Sequence, residues 1–215
     1  LGNIKEAPFN FLIGVTYSDQ MKIIINFIKG DWKEKTRKPK IAFIYNDTDF
    51  GRSPIADGRR YASEMGMDVV AEQIVSLDAR DAKEQLKKIA ESNADYTIIQ
   101  ETTWAASVIL KNAMELKIKT RFIGLNWCAD EKLIALAGRA AEGFIGTMPF
   151  IFTHSDNKIV RQIVEYSRIK GSSIEGYLSR YISGWVTAMV MMEGIRLAGD
   201  DMSGEGIKKG LEKIK

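Results

Sequence analysis

Four segments of the chain set an aromatic ring beside hydroxyl, amide or carboxylate groups, each directly after an apolar run. They are "TYSDQ" with Tyr17, "DTDFGRS" with Phe50, "ETTWAAS" with Thr102, Thr103 and Trp104, and "NWCADE" with Asn126 and Trp127. Rings supply apolar contact and the polar groups fix orientation, which is the composition of a small-molecule pocket. Glu101 and Asp130 fall in two of these segments and would form the acid/base pair if the chain were an enzyme. Other chemistries lack their parts. Neither GxGxxG nor GxxxxGK[ST] occurs, so no phosphate cradle is expected, and there is no GxSxG elbow. The single cysteine, Cys128, permits no internal disulfide and no CxxC motif, and with no base beside it reads as a passive thiol. The single histidine, His154, cannot build a histidine-rich metal site and reads as a surface or hinge residue. No metal and no cofactor is expected.

The apolar runs that would position these segments read as strands: residues 9–15, 40–46, 67–75, 95–100, 121–126 and 143–149. Between them the apolar residues fall at helical spacing, as in Met21, Ile24, Ile25 and Ile28, or Ala82, Leu86 and Ile89, with Asp78 or Asp81 as a helix start for the second set. Strand alternating with helix implies right-handed crossovers and a largely parallel sheet. Runs such as Ile41–Ile44 and Tyr96–Ile99 are apolar without alternation, as inner strands covered on both faces must be. In such sheets ligands bind beyond the carboxyl ends of the strands, which is where the four segments lie. After Pro149 the pattern becomes three helices in succession, with Gly199–Asp200 as a stop and Ser203 as a start. The expected fold class is α/β: a doubly wound, mostly parallel sheet plus helices of a second, incomplete α/β lobe.

The 31 basic residues exceed the 28 acidic ones by three, and the excess is scattered. Its densest run, "KEKTRKPK" at 33–40, reads as a solvated loop, so no nucleic-acid partner is expected. The most apolar stretch, "WVTAMVMM" at 185–192, is far shorter than the roughly 20 residues of a membrane span. The chain starts "LGNIKEAPF" without an initiator Met, which reads as a removed signal or a fragment.

Taken together, "KIAFIYNDTDFGRS", the following "ADGRRYASEMGMDVVAEQIVSLDARDAKEQLKKIAESNADYTII", "LKIKTRFIG", "AGRAAEGFIGTMPF" and "YISGW...GIRLAG" resemble the type I periplasmic binding proteins. More narrowly they are similar to the branched-chain amino acid (Leu/Ile/Val) receptors of ABC transporters. The resemblance implies two α/β lobes that close on a ligand, with residues 17–148 as the second lobe and residues 1–16 and 149–215 as parts of the first lobe and the hinge crossovers. It implies a ligand site at Phe50, Thr102, Thr103, Trp104, Asn126 and Trp127, with Tyr177 and Tyr181 contributed by the first lobe. Amino-acid-binding relatives place a carboxylate where this chain has Asn126, so amides, urea or aliphatic and aromatic acids join amino acids as expected ligands. The implied partners are a small-molecule ligand and an ABC permease. The implied location is periplasmic or extracellular, with a lipid anchor as an option. The rival expectations are a cytoplasmic ligand-sensing regulator on the same fold and an α/β enzyme using Glu101 and Asp130.

Overall fold

The computed structural model describes residues 5–150, 156–174 and 177–214. The chain divides into two compact units, Tyr17–Pro149 and Leu1–Thr16 with Phe150–Lys215.

The unit Tyr17–Pro149 is built on five strands: β1 (Lys40–Tyr45), β2 (Asp68–Ile74), β3 (Tyr96–Gln100), β4 (Arg121–Gly124) and β5 (Ile145–Gly146). They lie in the order β2-β1-β3-β4-β5, and every pair is parallel. Six helices accompany them among the described residues: α1 (Tyr17–Asp31), α2 (Asp49–Arg52), α3 (Ile55–Glu64), α4 (Lys83–Ser92), α5 (Thr103–Glu115) and α6 (Glu131–Ala137). A 3₁₀ turn, Asn126–Cys128, follows β4.

Side chains alternate across each strand, so two cores form. Ile41, Phe43, Tyr45, Ile98 and Ile123 pack with Met21, Ile24, Ile25 and Ile28 of α1 and Ile55 and Ala62 of α3. Ala42, Ile44 and Ile99 face the other way and pack with Leu86 and Ile89 of α4, Ala106 and Ile109 of α5 and Leu133 of α6. The sheet is therefore covered on both faces. Its amino edge is tied by Asp95, which takes Arg37 in two bonds of 2.7 and 2.8 Å and the backbone N–H of Lys40 at 2.8 Å. Arg37 also lies 4.6 Å over the Trp32 ring. The basic run at 33–40 thus holds one structural latch and is not solvated throughout.

One sequence expectation needs correction. Residues 9–15 form no strand. An extended run is stabilised only by a neighbour that completes its hydrogen bonds, and the described part of its unit contains helices alone. Of the two residues offered as the start of α4, Asp81 is the one that serves it, accepting from the Lys83 N–H at 2.8 Å just ahead of Ala82 at the cap position, while Asp78 is engaged by Ser76.

In the other unit, α7 (Lys158–Ile169), α8 (Leu178–Ala198) and α9 (Gly204–Glu212) follow in succession. Val160, Ile163 and Ile182 form a small core with Phe150, Leu178, Tyr181 and Trp185. The Ser203 hydroxyl caps α9 by accepting from the Gly206 N–H at 3.1 Å. The helices α8 and α9 approach so closely that a Cβ at Gly210 would fall 2.0 Å from the Gly194 carbonyl oxygen. No helix among the described residues is long and apolar enough to cross a membrane. His154 lies outside the described residues.

Candidate functional site

The strand order places β1 and β3 side by side although the chain visits β2 between them, so the loops leaving β1 and β3 diverge and open a crevice. The register pairs Tyr45 with Gln100, and the next residues, Asn46 and Glu101, meet across that crevice. Asn46 donates from Nδ2 to Glu101 Oε2 at 3.1 Å and to the Gln100 carbonyl at 3.4 Å. Its Oδ1 accepts from the Thr48 hydroxyl. Thr48 also caps α2, accepting from the Gly51 N–H at 3.4 Å. Gln100 Nε2 donates to the Phe50 carbonyl at 3.0 Å. The loop that follows β1 is thereby folded back onto the end of β3. Only glycine fits at its tightest point, since a Cβ at Gly51 would fall 2.1 Å from the Asn46 carbonyl oxygen.

This loop presents the Phe50 ring to two others. Phe50 meets Tyr17 edge-on at 5.4 Å between centroids and Trp127 edge-on at 6.2 Å. Trp127 Nε1 donates to the Tyr17 hydroxyl at 2.6 Å. The first residue of α1, the short helix α2 after β1 and the 3₁₀ turn after β4 thus bring their rings to one edge. Edge-to-face pairs of this kind contribute on the order of 1 kcal/mol each beyond area burial, yet Trp127 remains 41% exposed.

The turn after β4 is held from both sides. Gln20 Oε1 accepts from the Asn126 N–H at 3.0 Å and from the Thr147 hydroxyl at 2.7 Å. The Thr103 hydroxyl bonds the Trp127 carbonyl at 3.1 Å and Asp130 Oδ2 at 2.9 Å. Asp130 caps α6 through the Leu133 N–H at 3.2 Å. Asp130 is therefore engaged as a helix cap, and the expected acid/base partnership with Glu101 has no geometric basis in these contacts. Cys128 is fully buried, and burial pushes its thiol up to about 12, so it is not a nucleophile here.

Glu101 is fully buried. Burial pushes its carboxyl up to about 7, against the Asn46 amide and the Thr102 N–H, which pull it down. Among the described residues no group of three or more His, Cys, Asp or Glu side chains could hold a metal ion.

Of the residues expected to bind ligand, Phe50 and Trp127 come together, joined by Tyr17, while Asn126 and Thr103 support their turn. Thr102 stands at the N-cap position of α5 without a side-chain cap bond and is part-exposed. Trp104 is 49% exposed, and its indole N–H is bonded to the Ala79 carbonyl at 3.1 Å, on the β2 side. It makes no ring pair with the other three. Tyr177 and Tyr181 lie in the other unit, the first 48% exposed at the start of α8, the second part-buried against the small core. Sequence reasoning passed over Asn46, Gln100 and Gln20 as site residues, although a polar residue ending an otherwise apolar strand was a visible signal for the first two. A separate hollow of about 520 Å³ opens at the amino ends of β3 and β4, lined by Trp32, Tyr96, Lys119, Arg121 and Phe144 among others. Its Arg121 is engaged by Asp31 at 2.5 Å.

A family model described as periplasmic binding protein matches residues 2–215. The leucine-, isoleucine-, valine-, threonine- and alanine-binding protein of Pseudomonas aeruginosa is 19% identical over 174 residues, 81% of this chain and 44% of that protein. A branched chain amino acid ABC transporter structure from Thermus thermophilus with bound valine is 29% identical, with a TM-score of 0.84 over 93% of this chain and 52% of that one. A fatty acid ABC transporter substrate-binding protein from Thermomonospora curvata shares the fold, at 20% identity, with a TM-score of 0.79 over 93% of this chain and 52% of that one. The chain spans about half the length of these relatives.

Proposed function

The chain belongs to the periplasmic binding protein family, and from that premise we propose that it binds a small amphipathic organic solute as part of the extracytoplasmic receptor of an ABC transporter. The observation that carries this reading is the meeting of Phe50 with Trp127, 6.2 Å between ring centroids, at the carboxyl edge of a parallel sheet. The two rings come from different turns, and only a folded sheet brings them together. With Tyr17 they offer a partly exposed apolar wall beside Asn126 and Thr102, whose polar groups orient a ligand. The names of the similar proteins bracket the ligand class. Valine, other aliphatic amino acids and a fatty acid share an aliphatic body with a polar end, and such a body suits an aromatic wall. Thr103 and Trp104 are kept in the site as its supporting turn and its far flank. Ligand acts by stabilising the state that contacts it best, and that state is the one a permease reads.

A thermal-shift screen of the chain against aliphatic amino acids, their amides and short fatty acids tests this reading. A ligand specific to the native state raises the melting temperature by mass action, about 2.7 kcal/mol at one hundred times its Kd. At least one compound is expected to shift the wild type and to lose that effect in Trp127→Ala. The absence of any shift, or equal shifts in both proteins, removes the rim as the binding surface.

A further inference from the structure

The opposite edge of the sheet, where the strands begin, carries an opening of its own. It is the hollow of about 520 Å³, and its lining lies wholly within the unit Tyr17–Pro149. That volume falls in the range of small-molecule pockets. The sheet itself leaves the room. β4 starts at Arg121, but β5 joins it only from Ile123 onwards. The N–H groups of Arg121 and Leu125 point at β3, donating to the Asp95 and Ile99 carbonyls at 2.9 and 3.0 Å. Donors alternate in direction along a strand, so the Phe122 N–H points the other way, where no strand partner has yet begun. The rings of the hollow are held in place before any ligand arrives. Trp32 meets Tyr96 edge-on at 6.3 Å between centroids, and Phe144 lines the hollow with them. Trp32 gives its indole N–H to the Arg37 carbonyl at 3.2 Å, and Tyr96 gives its hydroxyl to Asp31 at 2.6 Å.

Four charged side chains line the hollow: Asp95, Lys119, Arg121 and Glu142. Asp95 is taken by Arg37, Arg121 by Asp31, and Glu142 by Arg139 at 3.8 Å. Lys119 is the one of the four without an ion pair among the described residues, so the uncompensated charge of the hollow is positive. Thr120 beside it adds a donor. Its hydroxyl shares one hydrogen bond of 3.0 Å with that of Thr97, which is fully buried. A buried hydroxyl must place its proton on an acceptor, so Thr97 donates and the Thr120 proton stays available. We propose that this hollow is a second binding site, for a small aromatic carboxylate, with the ring among Trp32, Tyr96 and Phe144 and the carboxylate held by Lys119 and Thr120. The site stands at the other end of β4 from the Trp127 turn and does not depend on the reading of the aromatic rim. An aliphatic acid of equal size forgoes the edge-on ring contacts. A neutral amide forgoes the charge-assisted bond, which is roughly twice as strong as a neutral one.

Amide chemical-shift mapping of the whole nitrogen-15-labelled chain with benzoate, benzamide and cyclohexanecarboxylate separates the two requirements, charge and ring. Benzoate is expected to shift the amides of Lys119, Thr120, Arg121 and Phe122 and the Trp32 indole N–H saturably, with a Kd of about 1 mM. Benzamide and cyclohexanecarboxylate are each expected to bind there at least about threefold more weakly. Lys119 is exposed, so Lys119→Gln keeps the fold, and it is expected to weaken benzoate about fivefold, the upper range for one solvent-exposed charge pair. An unchanged urea midpoint in that variant confirms that the loss is one of binding. The inference is overturned if these amides show no saturable shift, if Lys119→Gln binds benzoate as the wild type does, or if either analogue binds as tightly as benzoate. Shifts confined to the Trp127 indole and the Phe50 loop would assign benzoate to the aromatic rim; the second site then falls and the rim stands.

Discussion

Asn46 and Glu101 face each other across the gap between β1 and β3, Nδ2 to Oε2 at 3.1 Å, where the strand order reverses. The pair closes the floor of the crevice with one neutral donor against one buried acid. The consequence is a pH-dependent stability. Burial raises the Glu101 carboxyl from its ordinary 4.5 to about 7, so the folded chain holds that proton more tightly than the unfolded chain. The stabilisation is complete below about pH 4.5, declines as pH rises, and is gone once pH passes about 7. At 1.36 kcal/mol per pH unit the window spans roughly 3 kcal/mol. Urea unfolding at several pH values is expected to show this decline in the wild type and a flatter profile in Glu101→Gln, which gains stability relative to the wild type at pH 8. Parallel profiles for the two proteins would exclude a buried neutral acid at this position.

Gly51 tests whether the Phe50 loop is held as described. A methyl group there would fall 2.1 Å from the Asn46 carbonyl and 2.7 Å from its side-chain oxygen, and the carbonyl belongs to backbone that cannot swing aside. Gly51→Ala is expected to cost about 1–3 kcal/mol, the usual range for overpacking. It should also displace Phe50, seen as a change in the Trp127 environment by fluorescence. A variant with wild-type urea midpoint and unchanged emission would show the loop to be slack.

The parallel sheet was legible because inner strands covered on both faces must be apolar at every position, and the runs at 40–46 and 95–100 are. The run at 9–15 has the same composition but no strand, since pairing depends on a neighbour that composition does not reveal. The strand-end rings were visible as types, but not which of them converge. Tyr17, Phe50 and Trp127 meet, while Trp104 gives its indole N–H to Ala79. The buried acid was hidden for a related reason. Glu101 looks like an exposed loop residue in sequence, and it is the pairing of Tyr45 with Gln100, 55 positions apart, that sets it against Asn46.

Asp130 distinguishes a structural carboxylate from a chemical one. It accepts from the Leu133 N–H at the start of α6 and from the Thr103 hydroxyl. Asp130→Ala removes both and is expected to cost about 0.5–2 kcal/mol, the range of a lost N-cap. Asn is an equally good cap residue, so Asp130→Asn should restore most of that loss despite removing the charge. Should the asparagine variant unfold as readily as the alanine one, the charge itself, and not the cap, would be what Asp130 supplies.

Cys128 offers a check on how firmly the carboxyl edge is packed. Its sulfur donates towards the Leu125 carbonyl at 3.2 Å, its side chain is fully buried, and burial moves the thiol up to about 12, with Glu101 and Asp130 opposing the thiolate further. Reactivity needs both thiolate and access, and the folded chain denies both. Labelling by a disulfide reagent at pH 8 is therefore expected to follow the opening of the fold: negligible in the native chain and complete within mixing time in urea. In Gly51→Ala the neighbouring turn is disturbed, and labelling should accelerate by the factor its lost stability implies, about tenfold per 1.4 kcal/mol. Rapid labelling of the native wild type would mean that the turn bearing Trp127 opens readily, and the rings it contributes would not form a standing wall for a ligand.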